Sequence, residues 1–114
     1  MAECIFCRIA EGEVPATIVH QDDKVVAFRD LNPKAPTHVL LVPRKHVSSM
    51  LKLCAEDDSL TGHLVRIAAQ VAATEGIAET GFRLVANAGP DAGQSVDHLH
   101  FHLLGGRKLG WPPG

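Results

Sequence analysis

The chain has 114 residues, 46% of them hydrophobic, and a formal net charge of −2. That is one ordinary domain, large enough to bury a core without disulfide staples. With no basic run longer than Arg44-Lys45-His46, the charge argues against a surface that grips polymeric nucleic acid and leaves room for a single nucleotide.

Met1 to Arg8 is too polar for a signal peptide, and the longest aliphatic run, Val39 to Val42, is far too short to span a bilayer. Three cysteines, two of them in Cys4-x-x-Cys7, do not make a secreted disulfide framework. These features predict a cytoplasmic protein with no membrane segment. Residues 4–11 predict a short helix, stopped near Gly12 and Pro15. Residues 17–20 and 24–28 read as strands joined by a turn at Gln21-Asp22-Asp23, and 30–36, with Pro33 and Pro36, as a loop. Residues 38–43, rich in Val and Leu, form a buried strand. From 58 to 75 the period becomes helical: Leu60, Leu64, Ile67, Val71 and Ala72 make one apolar stripe, which is core packing. Asp57, Asp58 or Ser59 caps its start and Gly76 its end. Residues 82–87 are another strand, 88–94 a Gly-rich loop, 98–104 the last strand, and the Gly- and Pro-rich tail 105–114 is irregular. Five strands and two helices without long βαβ crossovers predict the α+β class. The expected architecture is a single domain over 1–114, with helices on one side of an antiparallel five-stranded sheet.

The last strand carries the chemistry. In His98-Leu99-His100-Phe101-His102-Leu103-Leu104 the alternation puts His98, His100 and His102 on one face, with neighbouring rings roughly 6.5–7 Å apart. Imidazole serves as nucleophile, acid, base or metal ligand near neutral pH, and three in a row are costly to bury without partners. The glycines before them, in Asn87 to Ser95, allow close backbone approach to a ligand, and Gln94 and Ser95 add donors suited to phosphate oxygens. Cys4-x-x-Cys7 is half of a zinc site or a redox pair. No second such pair exists, so two histidines would have to complete a tetrahedron. A metal-dependent hydrolase in which the triad itself ligates zinc is one reading of these residues.

Gly93 to Leu104 resembles the signature of the histidine-triad (HIT) nucleotide-binding superfamily, His-x-His-x-His followed by two apolar residues. Cys4-Ile5-Phe6-Cys7-Arg8-Ile9, Ala27 to Leu31, Ala35 to His46 and Asn87-x-Gly89 match the family in order, and the tail from Gly105 is similar to that of the Hint branch. The resemblance implies hydrolysis of purine nucleoside 5′-monophosphoramidates through a nucleotidyl-histidine intermediate. His100 would be the nucleophile and His102 would bind phosphate oxygens. Ser95 would touch the phosphate or leaving amine, and His38 would orient His98 or His100. Asp30, read alone a turn former, would hold the ribose hydroxyls. Phe6, Val14, Phe28 and Leu31, otherwise plain core residues, would form the base slot, with Asn87, Gly93 and Gln94 completing the nucleotide contacts. In zinc-carrying relatives the ligands correspond to Cys4, Cys7, His46 and His98. The resemblance also implies a homodimer with one continuous sheet and Trp111 near the partner's active site. A dinucleoside-polyphosphate hydrolase and a nucleotide-responsive binding module with incidental hydrolysis remain as alternatives. Arg29 is assigned nothing, Cys54 is a small core or surface thiol, and His20 and His63 read as surface residues.

Overall fold

Thr37 to Pro43 is apolar at nearly every position, as a strand buried on both faces must be. In the computed structural model, which describes residues 4–114, this strand (β3, Thr37–Pro43) is the centre of a five-stranded antiparallel sheet. It lies between β2 (Val25–Arg29) and β5 (Phe101–Gly105), with β1 (Ile18–Gln21) beyond β2 and β4 (Phe82–Ala86) beyond β5. The α+β class and the strand count are as the sequence predicts.

The helices do not share a side. Helix α2 (Asp58–Thr74) lays Leu64, Ile67, Ala68, Val71 and Ala72 on Val25, Ala27, Val39, Leu41, Leu99 and Leu103. Helix α1 (Ile5–Ala10) packs Phe6 and Ala10 on Val26, Phe28, Leu40 and Val42, which alternate with the first set and face the opposite way. Both faces of the central strands are apolar, so each needs a cover. Fully buried leucines such as Leu41, Leu64, Leu99 and Leu103 contribute about 1.5–3 kcal/mol each.

Helix α2 ends as expected: Gly76 takes a positive φ of 79°, open to glycine at low cost, and Ile77 N–H returns to the Ala72 carbonyl. Its start is held differently. Asp57 makes no side-chain cap to the helix; it accepts from Lys45 Nζ at 2.6 Å and from the Cys54 backbone N–H at 3.1 Å. Arg29 clamps the end of β2 to the end of α2 through two 2.8 Å bonds to Glu75. Among the described residues no helix is long and apolar enough to cross a membrane.

The final strand begins three residues later than the alternation predicts, at Phe101 rather than His98. Opposite it, β3 ends at Pro43. Leu99 N–H bonds to the Val47 carbonyl at 2.6 Å, and the Pro43 carbonyl is taken by the His98 ring at 2.8 Å. The first two triad histidines are therefore held by side-chain bonds just outside the ladder.

Candidate active site

Register brings the histidines together. His102 stands opposite Leu40, and His38, two residues earlier on β3, is its diagonal neighbour on the α1 face. The contact is direct, with His38 Nε2 2.9 Å from His102 Nδ1. His38 therefore supports the third triad histidine, not His98 or His100 as the sequence suggests. The His100 and His102 rings lie 5.0 Å apart, closer than two residues along an ideal strand, because His100 precedes the strand.

Two carbonyls and one backbone N–H fix the ring protons. Carbonyl oxygen only accepts, so His98 carries its hydrogen on Nε2, donated to the Pro43 carbonyl at 2.8 Å. His100 carries its hydrogen on Nδ1, donated to the His98 carbonyl at 2.7 Å, and its Nε2 keeps a free lone pair. Lys34 N–H donates to His38 Nδ1 at 3.0 Å, which places the His38 hydrogen on Nε2. That hydrogen goes to His102 Nδ1 and leaves His102 protonated at Nε2. Burial first, with the His100 and His38 rings adding to it, pushes His102 down to about 4. Burial also lowers His38 and His98. These rings are neutral at physiological pH, which leaves His102 a hydrogen-bond donor and not a cation.

His100 and His102 lie at one end of a cavity of about 290 Å³, which is also lined by Phe6, Val14, Phe28, Asp30, Leu31 and Ser95. The family resemblance places these six residues at a nucleotide. It missed Ile5, Ile9, Pro15, Ala16, Leu40 and Arg29, which line the same space; Ile5 and Ile9 were legible as one face of the predicted helix. Phe6 meets Phe28 edge-on at 5.6 Å and His100 at 5.1 Å, so it joins the apolar slot to the triad. Asp30 accepts from Asn32 N–H through Oδ1, and its Oδ2 is 3.4 Å from His38 Nε2.

Two expected phosphate donors are already occupied. Gln94 gives both amide hydrogens to the Ser48 and Val96 carbonyls, and its oxygen accepts from Gly89 N–H. Its backbone N–H goes to the Gly89 carbonyl, and that of Gly93, at φ 80°, to Pro90. Gly93 and Gln94 tie the loop to itself rather than facing a ligand, and Ser95 is the loop residue that reaches the cavity. Asn87 lies in a second cleft on the other side of His102.

Cys4, Cys7, His46 and His98 bring one ligand atom each to within 4.8 Å of one another. Sulfur to nitrogen separations are 3.3 Å for Cys4–His98, 3.3 Å for Cys7–His46 and 3.5 Å for Cys7–His98, and the two Nδ1 atoms are 3.2 Å apart. A tetrahedron with Zn–S of about 2.3 Å and Zn–N of about 2.05 Å has edges of roughly 3.5 Å and 3.3 Å for these pairs. His98 spends its Nε2 hydrogen on Pro43, so its Nδ1 lone pair points at the cluster. Without a cation, burial and the Cys4 thiol push Cys7 up to about 11. The residues present thus fit a structural zinc ion, and no position is left for water. Asp30, His38 and His102 also converge, but His38 needs its hydrogen on the nitrogen a metal would take. His98 and His102 belong to separate clusters and His100 to neither, so the triad rings do not meet on one ion.

His20 and His63, read as surface residues, both donate Nε2–H to Asp22 Oδ2, at 2.7 and 2.9 Å. Cys54 is exposed.

The HIT domain family matches residues 11–109. An uncharacterised HIT-like protein of Synechocystis is 51% identical over 115 residues, covering 100% of both chains. The purine nucleoside phosphoramidase of Escherichia coli is 47% identical over 108 residues, covering 95% of this chain and 91% of that one. Among solved structures, a HIT family hydrolase from Legionella pneumophila superimposes with a TM-score of 0.97 at 46% identity, over 98% of this chain and 100% of its own. A histidine triad protein from Clostridium difficile gives 0.94 at 45%, over 96% of each. With the family matched over residues 11–109 and relatives of this similarity, the chain belongs to the HIT domain family.

Proposed function

We propose that this chain hydrolyses purine nucleoside 5′-monophosphoramidates, breaking the P–N bond through a nucleotidyl group carried on His100. The observation that carries the reading is the His100 ring. Its Nδ1 hydrogen is fixed on the His98 carbonyl, and its ring lines a cavity of about 290 Å³ walled by apolar side chains and the Asp30 carboxylate. The similarity to the Escherichia coli purine nucleoside phosphoramidase supports the same reading.

In this reading the base occupies the slot beside Phe6, Phe28 and Leu31, and Asp30 accepts from the ribose hydroxyls. His100 Nε2 attacks the α-phosphorus, and its Nδ1–H bond to the carbonyl steadies the positive charge the ring acquires. The His102 Nε2–H donates to a phosphate oxygen as charge builds there, and Ser95 adds a hydroxyl. The departing nitrogen leaves with the P–N electron pair. Water supplies both the proton that nitrogen takes and the oxygen that later displaces His100 from phosphorus, so the atoms balance over two steps. Cys4, Cys7, His46 and His98 would hold a structural zinc ion, which would fix the segment leading into His100. The outer edge of β4 is unpaired among the described residues, with Phe82 exposed on the same strand. This edge supports a homodimer with one continuous sheet, to be checked by sedimentation at micromolar concentration.

The direct test is His100→Ala. Turnover of a nucleoside phosphoramidate should fall by orders of magnitude while calorimetry still detects nucleoside monophosphate binding, because the base and ribose contacts lie elsewhere. Near-wild-type turnover would overturn the reading.

A further inference from the structure

The cleft on the far side of His102 from the base slot is distinct in charge and larger, about 560 Å³. Three cations line it, Lys34, Arg83 and Arg107, against one acid, Asp30, in a chain whose overall charge is −2. None of the three has a carboxylate within 4 Å among the described residues. They are nonetheless held in place. Arg107 gives Nε and Nη2 to the Lys34 carbonyl, at 3.3 and 2.9 Å, and Nη1 to the Lys108 carbonyl. Arg83 Nη2 donates to the Gly110 carbonyl at 2.9 Å, and Lys34 Nζ to the Asn32 carbonyl at 3.1 Å. Carbonyls orient a cation without neutralising it. The result is a fixed positive field in a concave site, where field lines are focused.

This inference rests on the P–N cleavage reading. There the scissile bond sits beside His102, the base lies toward Phe6 and Phe28, and the leaving group must exit away from them. We infer that Lys34 and Arg83, with Arg107 behind them, form a leaving-group subsite that selects amines bearing an anionic group, a carboxylate or a phosphate. Asp30 offsets one of the three positive charges, which leaves the cleft net positive. Arg107 commits three of its five N–H hydrogens to backbone carbonyls, so its main contribution is charge.

The test uses one nucleoside 5′-monophosphate joined through nitrogen to three amines: β-alanine, its neutral isostere β-alaninamide, and 2-aminoethyl phosphate. The readout is the ratio of kcat/KM between a charged and the neutral substrate on the same protein, so a general loss of activity cancels. At low salt the charged substrates should be favoured by about tenfold or more, and the ratio should shrink as salt is raised. Whichever anion gives the larger ratio identifies the chemistry the subsite prefers. Lys34→Glu, on an exposed loop where folding is not at stake, and Arg83→Gln should each bring the ratio down severalfold, and the double variant should bring it near one. Ratios near one in the wild-type protein, or unchanged in both variants, would overturn the subsite while leaving P–N cleavage standing. Failure to hydrolyse any of the three substrates would overturn the cleavage reading and this inference with it.

Discussion

Replacing His38 probes the link between the fold and the proposed chemistry. Its ring is buried, accepts Lys34 N–H at 3.0 Å and donates to His102 Nδ1 at 2.9 Å. In His38→Ala the exposed loop around Lys34 recovers its bond from water, but His102 Nδ1, half-buried, loses its donor. That loss costs about 1–2 kcal/mol, and the vacated ring volume adds to it, for a total of about 2–4 kcal/mol. The kinetic effect follows from the tautomer. With burial holding His102 near 4, its ring stays neutral, so only one nitrogen carries a hydrogen. His38 keeps that hydrogen on Nε2. Without His38 the two tautomers compete, and part of the protein presents a lone pair where the phosphate needs a donor. Removing an oxyanion donor outright costs about 10²–10³ in rate, so a donor present part of the time and poorly aimed should cost roughly 10- to 100-fold. His38→Gln, whose amide N–H reaches a similar point, should recover much of this. Long-range 15N couplings report the His102 tautomer, and kcat/KM reports the chemistry. If His38→Ala kept one His102 tautomer and wild-type kcat/KM, the tautomer argument would be refuted.

Asp30→Ala should weaken ribonucleotides by about 1.5–3 kcal/mol, roughly 10- to 150-fold, and 2′-deoxyribonucleotides less; equal weakening of both sugars by calorimetry would count against a hydroxyl contact. Metal analysis should find close to one zinc per chain, and Cys4→Ser with Cys7→Ser should lower Tm more than it lowers kcat; a metal-free preparation whose Tm ignores added zinc would discard the site. The Asp22 carboxylate, despite burial that would raise it, is held below its ordinary 3.8 by donors from His20, Lys24, His63 and Val25. A depressed folded-state value stabilises the protein above that ordinary value and loses this contribution as pH falls further. Asp22→Asn should therefore cost about 1–3 kcal/mol at neutral pH in urea titrations, with the gap to wild type closing in strong acid; a gap independent of pH would contradict the assignment.

Local pattern carried much of this. Alternation placed Leu99, Phe101 and Leu103 on the core face and the histidines opposite, and the helical stripe of α2 is the buried one. What local pattern could not give was register. Whether His38 supports His98, His100 or His102 depends on the offset between β3 and β5, which no residue count between them reveals. The same limit hid the joining of His20 and His63 on Asp22, contacts spanning a hairpin and a helix. The two-sided sheet was legible, since a continuous apolar β3 implies two covers, but the short α1 gave too little amphipathic signal to be placed against one face. Gln94 failed as a phosphate donor because a loop must satisfy its own carbonyls first, a debt invisible in a one-dimensional reading.

The central claim is that His100 becomes covalently nucleotidylated, and rapid quenching followed by intact-mass and peptide analysis tests it most directly. Mixed with a purine nucleoside phosphoramidate, the protein should gain the mass of one nucleotidyl group. The adduct should be labile to acid, localise to the peptide containing His100, be absent in His100→Ala, and form and decay at rates compatible with kcat. Turnover with no adduct at any quench time, or an adduct that persists in His100→Ala, would contradict the account.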